Sequence, residues 1–236
     1  MKKGLLKYFL ALLPAVLPLL LSAQGTIYTR SARLADFPQK TTKIVLSGEP
    51  SLDAVLTEEI TSRWRISPYE FCTEEEYDAL RTGTRYYFLH FKSDDEFTWM
   101  HLSKGGPSEG NPLKTAMEVV SIPVFSAEDP SKDELVFLPA FIDIVQEYLL
   151  KAVVSDKVSY RGLAGIVSRN KKGKHICTDA DQGRQLFIDG EPDYIVPVIV
   201  WGSPLGRHRH YWRMRVSTDD HLLYEYRRKR VKVKIF

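Results

Sequence analysis

Apolar residues along this chain follow two alternating rhythms. In SLDAVLTEEITSRW, Leu52, Val55, Leu56, Ile60 and Trp64 return near every 3.6 residues, which predicts a helix with one face on a sheet. Ser51 stands where a capping hydroxyl would open that helix, and KIVL at residues 43–46 forms a short strand before the SGEP break. After Pro68, YEFC reads as a second short strand. Thr73-Glu74-Glu75-Glu76 then matches the S/T-x-x-E capping box that starts a short helix. The period next falls to two. TRYYFLHFK and FTWMHLS, joined by SDDE, predict a hairpin, KGGPSEGNP a flexible loop, and TAMEVVSIPVF a third strand that stops near Pro123. The first half therefore reads β-α-β-α-β-β-β.

The strongest helical signal lies in DPSKDELVFLPAFIDIVQEYLLKAVVSDK, where Phe141, Ile144, Val145, Tyr148, Leu149 and Ala152 share a face. Asp143, Glu147 and Lys151 sit inside it. Each such charge at mid-bilayer costs about 2.5–3.5 kcal/mol, so the segment is a core-packing helix and not a membrane span. SYRGLAGIVSRNKKGKHI fits a strand or a short helix, and RQLFIDGEPDYIVPVIVWGSP two strands around an Asp189-Gly190 turn.

The clearest hairpin joins RHRHYWRMRVS to LLYEYRRKR through TDDH. Strand alternation puts His208, His210, Trp212, Met214 and Val216 on one face and Arg207, Arg209, Tyr211, Arg213 and Arg215 on the other. In the second strand, Leu222, Tyr224 and Tyr226 share a face, but the later apolar residues are Val231, Val233 and Ile235. A bulge near residues 228–230 would produce that change of phase. The predicted class is α+β, with mixed or antiparallel sheets, helices packed on one face and a C-terminal basic β-hairpin. It occupies one domain over residues 43–236, with 126–134 as the place where it would divide.

The N-terminus changes the picture of compartment. Lys2, Lys3 and Lys7 precede an apolar stretch broken by Pro14 and Pro18, and Leu21-Ser22-Ala23 offers small residues to a signal peptidase. Residues 1–23 have the build of a secretory signal cleaved after Ala23, and the prolines argue against a retained transmembrane helix. Residues 24–42 read as a loosely held leader. The net charge of +3 equals the three signal-peptide lysines, so the exported chain is neutral. That neutrality is uneven: residues 207–236 hold ten Lys/Arg and three acids, leaving an acidic body with a basic end. Cys72 and Cys177 are the only cysteines, and in an oxidising compartment they could close one disulfide or remain two buried thiols.

Candidate chemistry is sparse. GGPSEGNPLKT lacks the glycine-lysine order of a phosphate loop, and GSPLG at residues 202–206 misplaces the serine of a hydrolase elbow. DADQG at 179–183 begins like a calcium loop, yet its twelfth position is Gly190, so an Asx-type turn fits better. His208 and His210 make half a metal site, with His175 or His221 to complete it, against the field of four neighbouring arginines. The more prominent candidate is a binding surface of Arg207, Arg209, Tyr211, Arg213, Arg215, Arg228 and Arg230, whose alternative is pairing with the chain's own acids. Export and a neutral chain argue against nucleic acid. They favour an envelope protein or an anionic surface component as partner. A lipid-facing barrel strand is excluded by phase, since counting back from Phe236 gives Lys234, Lys232, Arg230 and Arg228.

LSAQ, GEPSLDAVLTEEITSRWRISPYEFCTEEEYDAL and LPAFIDIVQEYL resemble uncharacterised exported envelope proteins of the Bacteroidetes. The resemblance implies export and no activity. VKVKIF is similar to the ending of C-terminal sorting domains in that phylum, although no glycine-rich turn precedes it. The resulting expectation is an exported periplasmic or surface protein that binds or scaffolds without catalysis and needs no cofactor. A hydrolase or metal enzyme using His208 and His210, and a secreted cargo with a sorting segment, are the alternatives.

Overall fold

Two sheets share one continuous core. The computed structural model describes residues 30–106, 116–128 and 132–232. The expected signal peptide, most of the KGGPSEGNP loop and the final VKIF lie outside the described residues.

The first sheet is built from β1 (Thr42–Val45), β2 (Tyr69–Cys72), β3 (Tyr87–Ser93), β4 (Phe97–Gly105) and β5 (Ala116–Ser126), in the order β2-β1-β3-β4-β5. β1 lies parallel to both β2 and β3, and the β3-β4-β5 meander is antiparallel. The second sheet has the order β6-β7-β8-β9, from β6 (His175–Ile176), β7 (Tyr194–Trp201), β8 (His208–Ser217) and β9 (Leu223–Lys232). Its β6–β7 pair is parallel and the rest antiparallel, so both sheets are mixed and the class is α+β.

Helix α2 (Pro50–Arg63) starts on Pro50 at its first turn, with the Asp53 carboxylate accepting from the Ser47 and Gly48 amides; Ser51 does not cap it. It buries Leu52, Leu56 and Ile60, as the period requires. Helix α3 (Glu74–Leu80) opens with the expected capping box, in which the Thr73 hydroxyl accepts from the Glu76 amide and the Glu76 carboxylate from the Thr73 amide. α3 takes the other face of the sheet. Its Tyr77 and Leu80 cover Val45, Cys72 and Phe88, whereas α2 packs into the main core. The strand order explains this departure from helices on one face. From β1 the chain steps outward to β2, then back across β1 to β3, and crossovers of one hand that run in opposite directions must pass over opposite faces.

The main core unites α2, α4 (Leu138–Ala152) and the facing sides of both sheets, from Ile44 and Leu89 through Ile144 and Val145 to Val198 and Met214. It crosses the 126–134 region without division. The expected leader is part of it from Ser31 onward: α1 (Ser31–Leu34) buries Leu34, and Phe37, only 1% exposed, packs edge-on against Tyr87 at 4.9 Å and Trp64 at 6.4 Å. The polar composition of residues 24–42 concealed two anchors, Leu34 and Phe37, inside it.

Two further expectations are corrected, and one ambiguous stretch is resolved. RQLFI belongs to α6 (Ala180–Ile188), not to a strand: the Asp179 carboxylate accepts from the Gln182 amide at 2.8 Å and caps the helix, and a side chain on Gly183 would collide with Pro197. β5 continues through Pro123 to Ser126, which an edge strand with a register shift beside that proline permits. The ambiguous 159–176 stretch becomes the end of α5 (Asp156–Arg161), a 3-10 turn over Gly162–Gly165, and β6. Among the described residues, no helix is long and apolar enough to cross a membrane.

Candidate binding site

The register of the C-terminal hairpin determines which side chains meet the first sheet. β8 alternates as expected, with Met214 and Val216 fully buried on one side and the arginines on the other. The bulge sits at Tyr224 instead of residues 228–230: Val216 pairs with Leu223 and Arg215 with Glu225, leaving Tyr224 as the extra residue. Beyond it the pairing is regular to Lys232, so Tyr226, Arg228 and Arg230 share the Trp212 face. Val231 lies opposite Arg209 and is 37% exposed, so it faces outward, while Val233 and Ile235 lie outside the described residues.

The seven residues of the expected basic surface therefore separate. Arg213 donates to Glu225 from Nε at 3.0 Å, and Arg215 and Arg227 approach the same carboxylate at 3.4 and 3.8 Å. Arg209 donates to the Gly202 carbonyl at 2.7 Å and lies over the Trp201 ring, which also meets Tyr211 at 4.6 Å. Arg207 and Arg230 are exposed on different faces, and Arg228 points to Glu96 of the first sheet. His210 also contacts Glu96 through Nδ1, and His221 contacts Asp143 at 2.6 Å. His175 lies beside Tyr194 at 5.4 Å. These imidazoles are dispersed, and among the described residues no three His, Cys, Asp or Glu groups converge as a metal would need. Cys72 and Cys177 are separate buried thiols: Cys72 lies under α3, where burial pushes it up to about 11, and Cys177 donates to the Asp179 carbonyl.

Glu96 is the hinge between the sheets. Its carboxylate holds His210 and Arg228, and its backbone carbonyl accepts from Ser203 at 2.8 Å and Ala127 at 3.1 Å. Gly202 lies so close to Phe97 that an added Cβ would stand 2.7 Å from the ring, so the end of β7 fits only as glycine. Together these contacts press the β3–β4 turn onto the second sheet, and a cavity of about 530 Å³ remains beside the junction. Such a volume falls within the roughly 300–1,000 Å³ typical of small-ligand sites.

Aromatic rings form the floor of this cavity. Trp212 stacks on Tyr226 with centroids 4.5 Å apart, and Trp99 meets Trp212 edge-on at 5.9 Å. Asp94 fixes the turn and one ring at once: Oδ1 accepts from the Glu96 and Phe97 amides, and Oδ2 from Trp99 Nε1 at 2.8 Å. The Tyr226 hydroxyl donates to the Ser121 carbonyl at 3.4 Å, and burial raises it above the usual tyrosine range. Across from the rings, His101 Nδ1 is 2.7 Å from Ser121 Oγ, which donates to Glu118 at 2.9 Å. Ser121 has one hydroxyl proton and gives it to the carboxylate, so His101 carries its hydrogen on Nδ1 and keeps Nε2 as an acceptor. Burial, then Lys92, lowers His101 to about 4; burial, then His101 and Lys92, lowers its neighbour His90 to about 3. Both imidazoles are neutral near pH 7, with rings 5.2 Å apart.

Two donors behind the cavity wall make no hydrogen bond, Trp212 Nε1 and Arg228 Nε on directly paired residues of β8 and β9, and both atoms are sealed from the cavity. Sequence reading singled out Arg228, but not Trp99, His101, Glu118, Ser121 or Tyr226 as site residues. Alternation does put Trp99 with His101, and Trp212 with His210, on single strand faces. No protein-family model matches the chain, and neither a curated protein nor a solved structure does.

Proposed function

We propose that this is an exported envelope protein that binds a small ligand, without catalysis, in the cavity between its two sheets. The observation carrying this reading is the cavity of about 530 Å³ itself, floored by the Trp212–Tyr226 stack and Trp99 and edged by Lys92, His101 and Glu118. The signal-like residues 1–23 support export. The outer arginines lend less support to a protein or polyanion partner, because Glu225 and Gly202 already engage most of them.

A thermal-unfolding screen of water-soluble small molecules tests the reading. A ligand at one hundred times its Kd stabilises the fold by about 2.7 kcal/mol, a rise of roughly 5–10 °C in Tm for a chain of this size. The rise should appear in the wild type and vanish in Ser93→Trp, which plugs the rim. A screen with no such compound, or equal shifts in both proteins, overturns the site. Intact mass of protein recovered from the producing cells should show loss of residues 1–23 and an intact C-terminus. Retention of the N-terminal residues defeats the export reading, and loss of the C-terminus favours the sorting-segment alternative.

A further inference from the structure

The charges bordering the cavity divide into a committed pair and a spare pair. Asp94 has both oxygens occupied, by the Glu96 and Phe97 amides and by the Trp99 indole, and Arg228 is neutralised by Glu96. Lys92 and Glu118 line the same cavity with side chains exposed to solvent. Among the described residues, Lys92 makes no ion pair, and Glu118 gives one oxygen to Ser121 and makes no hydrogen bond through the other. The two residues stand on β3 and β5 with β4 between, so their strands run roughly 10 Å apart. The Glu118 carboxylate comes within 3.8 Å of His101 Nδ1 on β4, which narrows the gap without closing it. Both charges act on the cavity wall. Beyond the effect of burial, Lys92 disfavours protonation of His101 and His90, and Glu118 disfavours ionisation of Tyr226.

Lys92 and Arg228 balance Asp94 and Glu118, so the lining carries no net charge. A ligand with a single charge would satisfy one spare group and be repelled by the other. A ligand with a cation and an anion satisfies both. Trp99, on the strand between them, joins the Trp212–Tyr226 stack in an apolar floor that suits a hydrocarbon side chain.

We infer that the ligand is a zwitterionic amino acid or dipeptide with an apolar side chain. Its ammonium pairs with Glu118, its carboxylate pairs with Lys92, and its side chain lies on the aromatic floor. This inference rests on the proposed small-ligand site and specifies its chemistry.

The test titrates the full exported chain by calorimetry with phenylalanine, leucine, methionine and the dipeptide Leu-Phe. Three arms dissect the charges: N-acetylphenylalanine keeps only the anion, phenylalaninamide only the cation, and benzyl alcohol neither. At least one zwitterion should saturate the protein and bind about threefold or more tighter than its blocked forms. Lys92→Met should weaken the zwitterion about threefold or more without weakening phenylalaninamide. Glu118→Gln should weaken it to a similar extent without weakening N-acetylphenylalanine. Both side chains are exposed, so neither change threatens the fold. A zwitterion unaffected by either variant, or bound no tighter than its blocked forms, overturns the inference. Saturation by a blocked form or by benzyl alcohol with no zwitterion response also overturns it and leaves the cavity as a site. If no arm responds while the thermal screen yields a rim-dependent ligand, the zwitterion alone falls. If the screen fails as well, both readings fall.

Discussion

On the outer face of β8–β9, Arg213, Arg215 and Arg227 crowd around Glu225, while on the inner face Trp212, Tyr226 and Arg228 stand against the first sheet. The two faces belong to the same twenty residues of strand, yet they use polarity in opposite ways. Outside, the arginines are paired locally with one carboxylate and the Gly202 carbonyl, although Arg215 Nε makes no hydrogen bond. Inside there is less charge, and the Trp212–Tyr226 stack borders a cavity of about 530 Å³. The difference teaches that a run of basic residues is a poor guide to a site when its neighbours can neutralise it. A concave wall with an aromatic floor is the better guide.

That contrast can be broken by mutation. Glu96→Ala should have the largest effect, roughly 3 kcal/mol in urea unfolding, because it strands the partly buried Arg228 without its partner. Adding Arg228→Met should recover much of the loss. The next effect is pH-dependent and comes from the first-sheet side of the cavity. Unfolded histidine titrates near 6.5, whereas His101 and His90 in the fold titrate near 4 and 3. Above pH 6.5 both states are neutral and nothing changes. Below it only the unfolded chain gains the proton, so stability falls by about 1.4 kcal/mol per pH unit for each histidine until the folded values are reached. Unfolding of His90→Gln/His101→Gln followed from pH 7 to 5 should show a flatter slope than wild type. Glu225→Gln should cost about 1 kcal/mol or less, while making stability rise with added salt as three arginines repel one another. Arg230→Gln, on an exposed side chain, should fall within about 0.5 kcal/mol of wild type. A Glu225→Gln loss as large as that of Glu96→Ala would abolish the distinction between the faces.

Much of the fold was legible because local chemistry agrees with the final packing. The Thr73–Glu76 cap, the α2 stripe ending in Trp64 and the β8 alternation needed only short-range rules. α6 was misread because Leu186-Phe187-Ile188 is too short a run to show a period, and the Asp179 cap resembles a free turn. The candidate site was mostly hidden. Glu96 lies in SDDE, which reads as a solvated hairpin turn, and its partners His210 and Arg228 are more than a hundred residues away. Only the stacking of one sheet's turn on another sheet converts that acid into a buried hinge. The cavity was equally unreadable, since a concave wall is a property of the assembled sheets.

The extra residue at Tyr224 has a consequence for how such a protein could change. Unbroken alternation from Leu223 would send Glu225, Arg227 and Lys229 inward and turn Tyr226 and Arg228 to solvent. One added residue beside Tyr224 would reverse the sides again, giving the cavity a charged lining and stripping the arginines of their acid. The register at this bulge therefore decides which side chains line the cavity, and a residue gained or lost beside Tyr224 should exchange its aromatic floor for charge with every other side chain retained.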